Sequence, residues 1–291
     1  MSPPTLAYFP GVDAAAHLAA SQVARANASG NPPVLFIHGL WLLPSSWDRW
    51  SEVFEDEGFA AVAAAWPDDP ANLEDANAHP SLFADKTILA VCDAIEDTIR
   101  RLNRKPVLIG HSFGGLIAQI LAGRGLSAAT VAIDPAPFRG VLPLPWSALK
   151  SAWPVLWNPA NRHRAVALTF EQFRYAFANA VDEKEARDLY ARFAAPAPGA
   201  PLFQAAFANF NPWTEDKVNT RSPQRGPMLI MAGELDHTVP QVVANAAYLR
   251  QSRNPNLTEL IEWPDRGHAL TIDKGWKEVA GAALAFVKRF V

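Results

Sequence analysis

Residues 106–119, PVLIGHSFGGLIAQ, pass from an aliphatic run into a helix-forming run through the pattern G-x-S-x-G, with Ser112 at its centre and Gly110 and Gly114 on either side. A strand that turns straight into a helix leaves no room for bulky side chains beside the turning residue, which is what the glycines provide. The same geometry holds Ser112 at the carboxyl end of a buried strand, where its hydroxyl is presented to a ligand.

On both sides of this turn lie short runs rich in Val, Ile and Leu and bounded by Gly or Pro: Val34–Ile37, Phe59–Ala63, Val107–Ile109, Thr130–Ile133, Met228–Met231 and Thr258–Glu262. Amphipathic segments of helical length separate most of them, at Ser46–Asp56, Lys86–Leu102, Gly115–Gly123, Val239–Gln251 and Lys274–Phe290. Strand alternating with helix predicts the α/β class, a mostly parallel sheet with helices on both faces. Residues 32–134 and 226–291 form this core. Residues 1–31 read as an accessory segment holding a helix from Asp13, as its cap, to Asn27.

The interval 135–225 breaks the rhythm. It lacks a buried strand and carries 11 of the 25 prolines, and it is too long for a loop in a compact domain. Phe170, Phe173 and Phe177 within Thr169–Ala180 share one helix face, and Asp182–Phe193 reads as a second helix. The interval is therefore expected to be a helical cap inserted between strands, with APAPGAP at 195–201 as a connection inside it.

Composition narrows the function. Hydrophobic residues make up 49% and the net charge is −3, which gives no electrostatic footprint for nucleic acid or anionic lipid. No run of apolar residues is long enough to span a bilayer, and the N-terminus lacks a basic region followed by an apolar core, so a cytoplasmic chain without membrane insertion is expected. The single cysteine, Cys92, sits at a helical core position and reads as an inert thiol. The seven histidines show no metal-ligand spacing, and no nucleotide, flavin or Schiff-base motif occurs, so neither metal nor cofactor is expected.

With its GHSFGG turn, the sequence resembles the α/β-hydrolase fold superfamily from about residue 33 to 291, specifically its capped, esterase-like serine hydrolases. That resemblance implies an α/β-hydrolase fold and a nucleophile, an acid and a histidine in that chain order. Ser112 matches the nucleophile, Asp236 in GELDHTVP the acid and His268 in DRGHAL the general base. Asp134 in VAIDPAP also stands at a strand end and is a rival acid, with Glu234 and Asp265 weaker ones. The resemblance further implies two backbone N–H donors for an oxyanion, at Phe113 and, in FIHGLW, at Leu40, with Trp41 as a substitute for Leu40. His38 would brace that loop and His111 fill a variable position of the turn, both structurally. His237 reads as a loop residue, and Arg162, His163 and Arg164 as a solvated basic cluster.

From position alone, Trp41, Phe138, Trp146 and Trp213 are expected to wall an apolar substrate pocket, together with Phe113. The expected activity is hydrolysis of carboxylic esters of small to medium apolar groups through an acyl-enzyme on Ser112, without cofactor. The same three residues also serve lactonases, carbon–carbon bond hydrolases, perhydrolases and hydroxynitrile lyases, and the fold also occurs in non-catalytic receptors, so these remain open alternatives. The oligomeric state is not legible.

Overall fold

A computed structural model describes residues 10–291, with side chains from residue 18 onward; residues 1–9 of the expected accessory segment lie outside the described residues. In chain order, the first half contains α1 (Pro10–Ser29), β1 (Pro33–Ile37), α2 (Asp48–Asp56), β2 (Ala60–Ala64), α3 (Leu73–Ala78), α4 (Ile88–Arg100), β3 (Val107–His111), α5 (Phe113–Gly123) and β4 (Thr130–Ile133). There follow α6 (Trp146–Leu156), β5 (Ala165–Val166), α7 (Phe170–Ala176), α8 (Glu183–Phe193), β6 (Ala197–Pro198) and α9 (Ala200–Phe207). The chain closes with β7 (Met228–Gly233), α10 (Gln241–Gln251), β8 (Thr258–Trp263) and α11 (Trp276–Val287).

Six strands form one parallel sheet in the order β2-β1-β3-β4-β7-β8, as the α/β reading expects. The strands are apolar at nearly every position because helices cover both faces, and alternate side chains divide between two cores. Leu35 and Ile37 of β1 face one core with Val91 and Ile95 of α4, whereas Val34 and Phe36 face the other with Trp50 of α2 and Val279 of α11. In the second core Phe36 stacks on Trp47 at 5.1 Å and meets Phe54 edge-on at 5.3 Å. Cys92 is buried in the first, and burial pushes its thiol up to about 12, which leaves it unreactive at neutral pH. Helix α1 shields the edge of the sheet: Gln22 accepts the Ala63 N–H at 3.1 Å and Asn27 bonds both Arg101 and Asn103. Its described part runs from Pro10, so Asp13 lies inside the helix and not at the residue before it.

Between β4 and β7 the chain leaves the sheet. Helix α7 starts at a reciprocal capping box of Thr169 and Gln172, and Asp182 caps α8 through the Glu185 N–H. Phe173 and Phe177 stack at 5.0 Å, with Phe173 packed against Tyr190, so the expected aromatic face exists although α7 ends earlier, at Ala176. Helices α6 and α9 and the short antiparallel ribbon β5-β6 are additions to the sequence expectation. Pro154 inside α6 removes a ladder donor and masks its helical character, while Pro201 sits in the first turn of α9, where a missing N–H costs nothing. A ribbon of two residues per strand is too short to show a period, and its second strand falls in the stretch expected to be a plain connection.

Every strand of the parallel sheet ends at the same edge, and β3, β4, β7 and β8 are consecutive there. Close approach of α5 to β1 and β3 fixes this edge. A Cβ on Gly110 would stand 2.1 Å from the Gly114 oxygen, and one on Gly114 would stand 2.1 Å from the Ile37 oxygen. Gly114→Ala is therefore expected to abolish folding or to cost at least about 3 kcal/mol, the upper end for overpacking. Gly281→Ala in α11, where a Cβ meets nothing within 4 Å, should instead stabilise by about 0.5–1 kcal/mol. Denaturant midpoints measure both.

Asp216, fully buried before β7, supplies a pH dependence. Burial pushes its carboxyl up to about 7, from an ordinary value of about 3.9 in the unfolded chain. The native state thus holds a proton that the unfolded chain has already released, so the associated stability is present below pH ~4 and is lost as pH rises towards 7. Relative to the wild type, Asp216→Asn should gain a few kcal/mol between pH ~4 and ~7 and then level off. A pH-independent difference in unfolding free energy would refute this.

Candidate active site

Ser112 links β3 to α5 with φ +56°, a left-handed conformation that non-glycine residues rarely adopt. Asp236 follows β7 and His268 follows β8, so adjacent strand ends deliver residues far apart in sequence to one place. The Ser112 hydroxyl stands 3.0 Å from His268 Nε2, and His268 Nδ1 stands 2.6 Å from Asp236 Oδ2. All three are buried. The other Asp236 oxygen accepts the N–H groups of Thr238 and Val239 at 2.6 and 2.8 Å, which fixes the carboxylate. A carboxylate on Nδ1 keeps the proton there, so Nε2 is free to accept from the serine.

The other candidate acids make different contacts. Asp134, also at positive φ (+41°), accepts the Gly233 N–H at 2.8 Å and lies beside Asp236. Burial, and then the charge of Asp236, hold its carboxyl well above the usual range. Glu234 is exposed and accepts the Asp265 N–H at 3.1 Å, so these two brace each other's loops. His237 donates to the Tyr175 carbonyl, and the exposed His163 pairs with Asp85. Arg162 and Arg164 are exposed.

His111 has more to do than occupy a variable position. Its Nε2–H donates to the His268 carbonyl at 2.8 Å, and burial together with the neighbouring His268 depresses its basicity, so it stays neutral. Phe177 packs edge-on against the His268 ring at 4.9 Å, a contact between the inserted segment and the core that only the tertiary fold creates. His38 bonds Asp69 at 2.8 Å and stacks on Trp66, bracing the loop after β1 as expected. Donor atoms of His111, Asp134 and His268 come within 4.8 Å of one another. Both His268 nitrogens are committed to the bonds above, which leaves His111 Nδ1 and Asp134 Oδ2 as the atoms of this group without a partner among the described residues.

The loop after β1 passes directly over the serine. A Cβ on Gly39 would lie 2.8 Å from the Ser112 Cβ, so only glycine allows this approach, and Leu40 follows it with its side chain in the core. Phe113 is the first residue of α5, whose N–H has no acceptor within the helix. Trp41 ties this loop to the inserted segment: its indole donates to Val166 at 3.0 Å and its carbonyl accepts from Ala195 at 3.0 Å.

Above Ser112 lies a mostly apolar cavity of about 200 Å³, walled by Trp41, Phe113, Leu149, Ala152, Leu202 and Val239 among others. Of the expected wall residues, Trp41 and Phe113 are there. Phe138 is packed in the core while Ala136 and Pro137 of the same loop face the cavity, so its ring belongs to folding. Trp146 and Trp213 are 77% and 84% exposed and do not line it. The wall is made by small and aliphatic residues of α6 and α9, whose helices the sequence did not reveal.

Similar folds occur among solved structures. The chain superposes on a monoacylglycerol lipase from Paleococcus ferrophilus with a TM-score of 0.62 at 17% identity, covering 90% of this chain and 96% of that one. An extracellular alpha/beta-hydrolase from a Paenibacillus species gives a TM-score of 0.63 at 19% identity, covering 87% and 98%. A thermophilic esterase from Thermogutta terrifontis gives 0.61 at 18%, covering 89% and 90%. A comparison with curated protein sequences yields no match. A family model described as the alpha/beta hydrolase family matches residues 34–282, from the first core strand into the last helix, and the chain belongs to that family.

Proposed function

We propose that the protein is a serine hydrolase that cleaves carboxylic esters of small to medium apolar groups through an acyl-enzyme on Ser112. The observation that carries this is the continuous hydrogen-bonded chain from Ser112 through His268 to Asp236 at the floor of an apolar cavity. Lipases and esterases among the similar folds support the same class. Residues 135–225 act as the cap of this cavity, since α6 and α9 supply its far wall.

In acylation, His268 Nε2 takes the Ser112 proton while Oγ attacks the ester carbonyl, and Asp236 stabilises the imidazolium that forms. The Phe113 and Leu40 N–H groups receive the oxyanion. His268 then protonates the departing alkoxide, the alcohol leaves, and water activated by the same imidazole releases the acid and restores Ser112. Asp134 takes no part in these transfers, its carboxyl bonded to the Gly233 N–H and raised by burial.

Stopped-flow assays with p-nitrophenyl esters should show a burst of p-nitrophenol followed by slower turnover, and a fluorophosphonate should label Ser112. Ser112→Ala should lose both, with kcat lower by about a million-fold. Labelling and turnover both absent in folded wild-type protein would point to a receptor. The two acids separate cleanly: Asp236→Asn should lower kcat by about 10⁴-fold, whereas Asp134→Asn, at a carboxyl that bonds the Gly233 N–H and not the imidazole, should keep most of the activity. The reverse ranking would assign the orienting role to Asp134.

A further inference from the structure

Helix α6 has two apolar sides. Ala148, Leu149 and Ala152 face the cavity, while Trp146, Lys150 and Trp153, with Trp157 at the helix end, recur at i, i+4, i+7 and i+11 and form one outward stripe. The three tryptophans of this stripe are 60–77% exposed, and Leu142 and Leu144 before α6, Phe207 at the end of α9 and Phe210 after it are exposed as well. Asn209 joins those loops, accepting the Gly140 N–H at 2.7 Å and donating to the Val141 carbonyl at 2.9 Å. Large apolar side chains left in solvent on one helix face and on the segments beside it mark an interaction surface.

The charge on the same segments has one sign. Residues 135–170 contain Arg139, Lys150, Arg162 and Arg164 and no Asp or Glu, and residues 200–214 carry no charge at all. Beside Gly140 and Asn209, a cleft of about 400 Å³ is lined by Arg139, Lys217 and Arg250, and among the described residues none of these three pairs with a carboxylate. The overall net charge of −3 conceals this, because the carboxylates lie on other segments.

We infer that this face docks on an anionic phospholipid surface, with the α6 tryptophans at headgroup depth, the cations on lipid phosphates and the cavity beneath the contact. Tryptophan prefers the membrane–water boundary, where its ring is apolar and its N–H stays hydrated, and basic residues around such a stripe are drawn to anionic headgroups. The contact is peripheral: no helix among the described residues is long and apolar enough to cross a bilayer. A second copy of the chain fits the face less well, since a two-fold contact would set its cations against themselves. This inference goes beyond the esterase reading and stands without it.

The full chain, centrifuged with vesicles, tests it without any assay of activity. It should sediment with equimolar phosphatidylcholine–phosphatidylserine vesicles, about tenfold less with phosphatidylcholine alone, and should be released by high salt. Trp153→Ser with Trp157→Ser, and separately Arg162→Glu with Arg164→Glu, should each weaken binding about tenfold while circular dichroism and melting temperature stay unchanged. Failure of the wild type to bind the mixed vesicles would overturn the inference, as would salt-insensitive binding or variants that bind equally well. A dimer in light scattering that the tryptophan changes disperse, with no vesicle binding, would assign the face to a second copy.

Discussion

The molecule is arranged around the space needed to present one hydroxyl at the end of a buried strand. Gly110, Gly114 and Gly39 each occupy a place where a Cβ would enter another residue's van der Waals envelope, and together they bring β1, β3 and α5 close enough to hold Ser112 in its left-handed conformation. Such a conformation costs on the order of 1–3 kcal/mol and persists only where the surroundings over-determine it. Here the surroundings are the two cores that clamp the sheet from both faces.

Burial also organises the electrostatics at this edge. Asp236 is held by two backbone N–H groups and the His268 ring, a full set of partners for a charge removed from water. The same burial raises the Asp134 carboxyl and depresses the basicity of His111. Asp236 alone of the two carboxyls bonds the imidazole, while His111 holds the His268 carbonyl and Phe177 packs on the ring from the side.

The inserted segment is bound to the core by specific contacts. Trp41 bonds both sides of it, and Phe177 reaches the His268 ring while stacking on Phe173. Helix α6 then separates two environments, cavity on one side and solvent on the other, so that the tryptophans beyond its cavity face contribute nothing to the core.

The α/β class, the six strands and the position of Ser112 were legible in the sequence because each rests on local rules, whereas Asp236 and His268 were named through the resemblance to the α/β-hydrolase superfamily. A parallel sheet covered on both faces writes its strands as apolar runs, and a tight turn demands glycine within two residues of the serine. The pocket was not legible. Aromatic content indicated Phe138, Trp146 and Trp213, yet burial and exposure are properties of neighbours far away in the chain, and the three ended in the core or in solvent. Helices α6 and α9 were hidden by prolines that local rules count against a helix but that packing tolerates near an end. The choice between Asp134 and Asp236 was likewise tertiary: both follow a strand, and only the relative placement of β4, β7 and β8 directs one carboxylate at the histidine and leaves the other beside it.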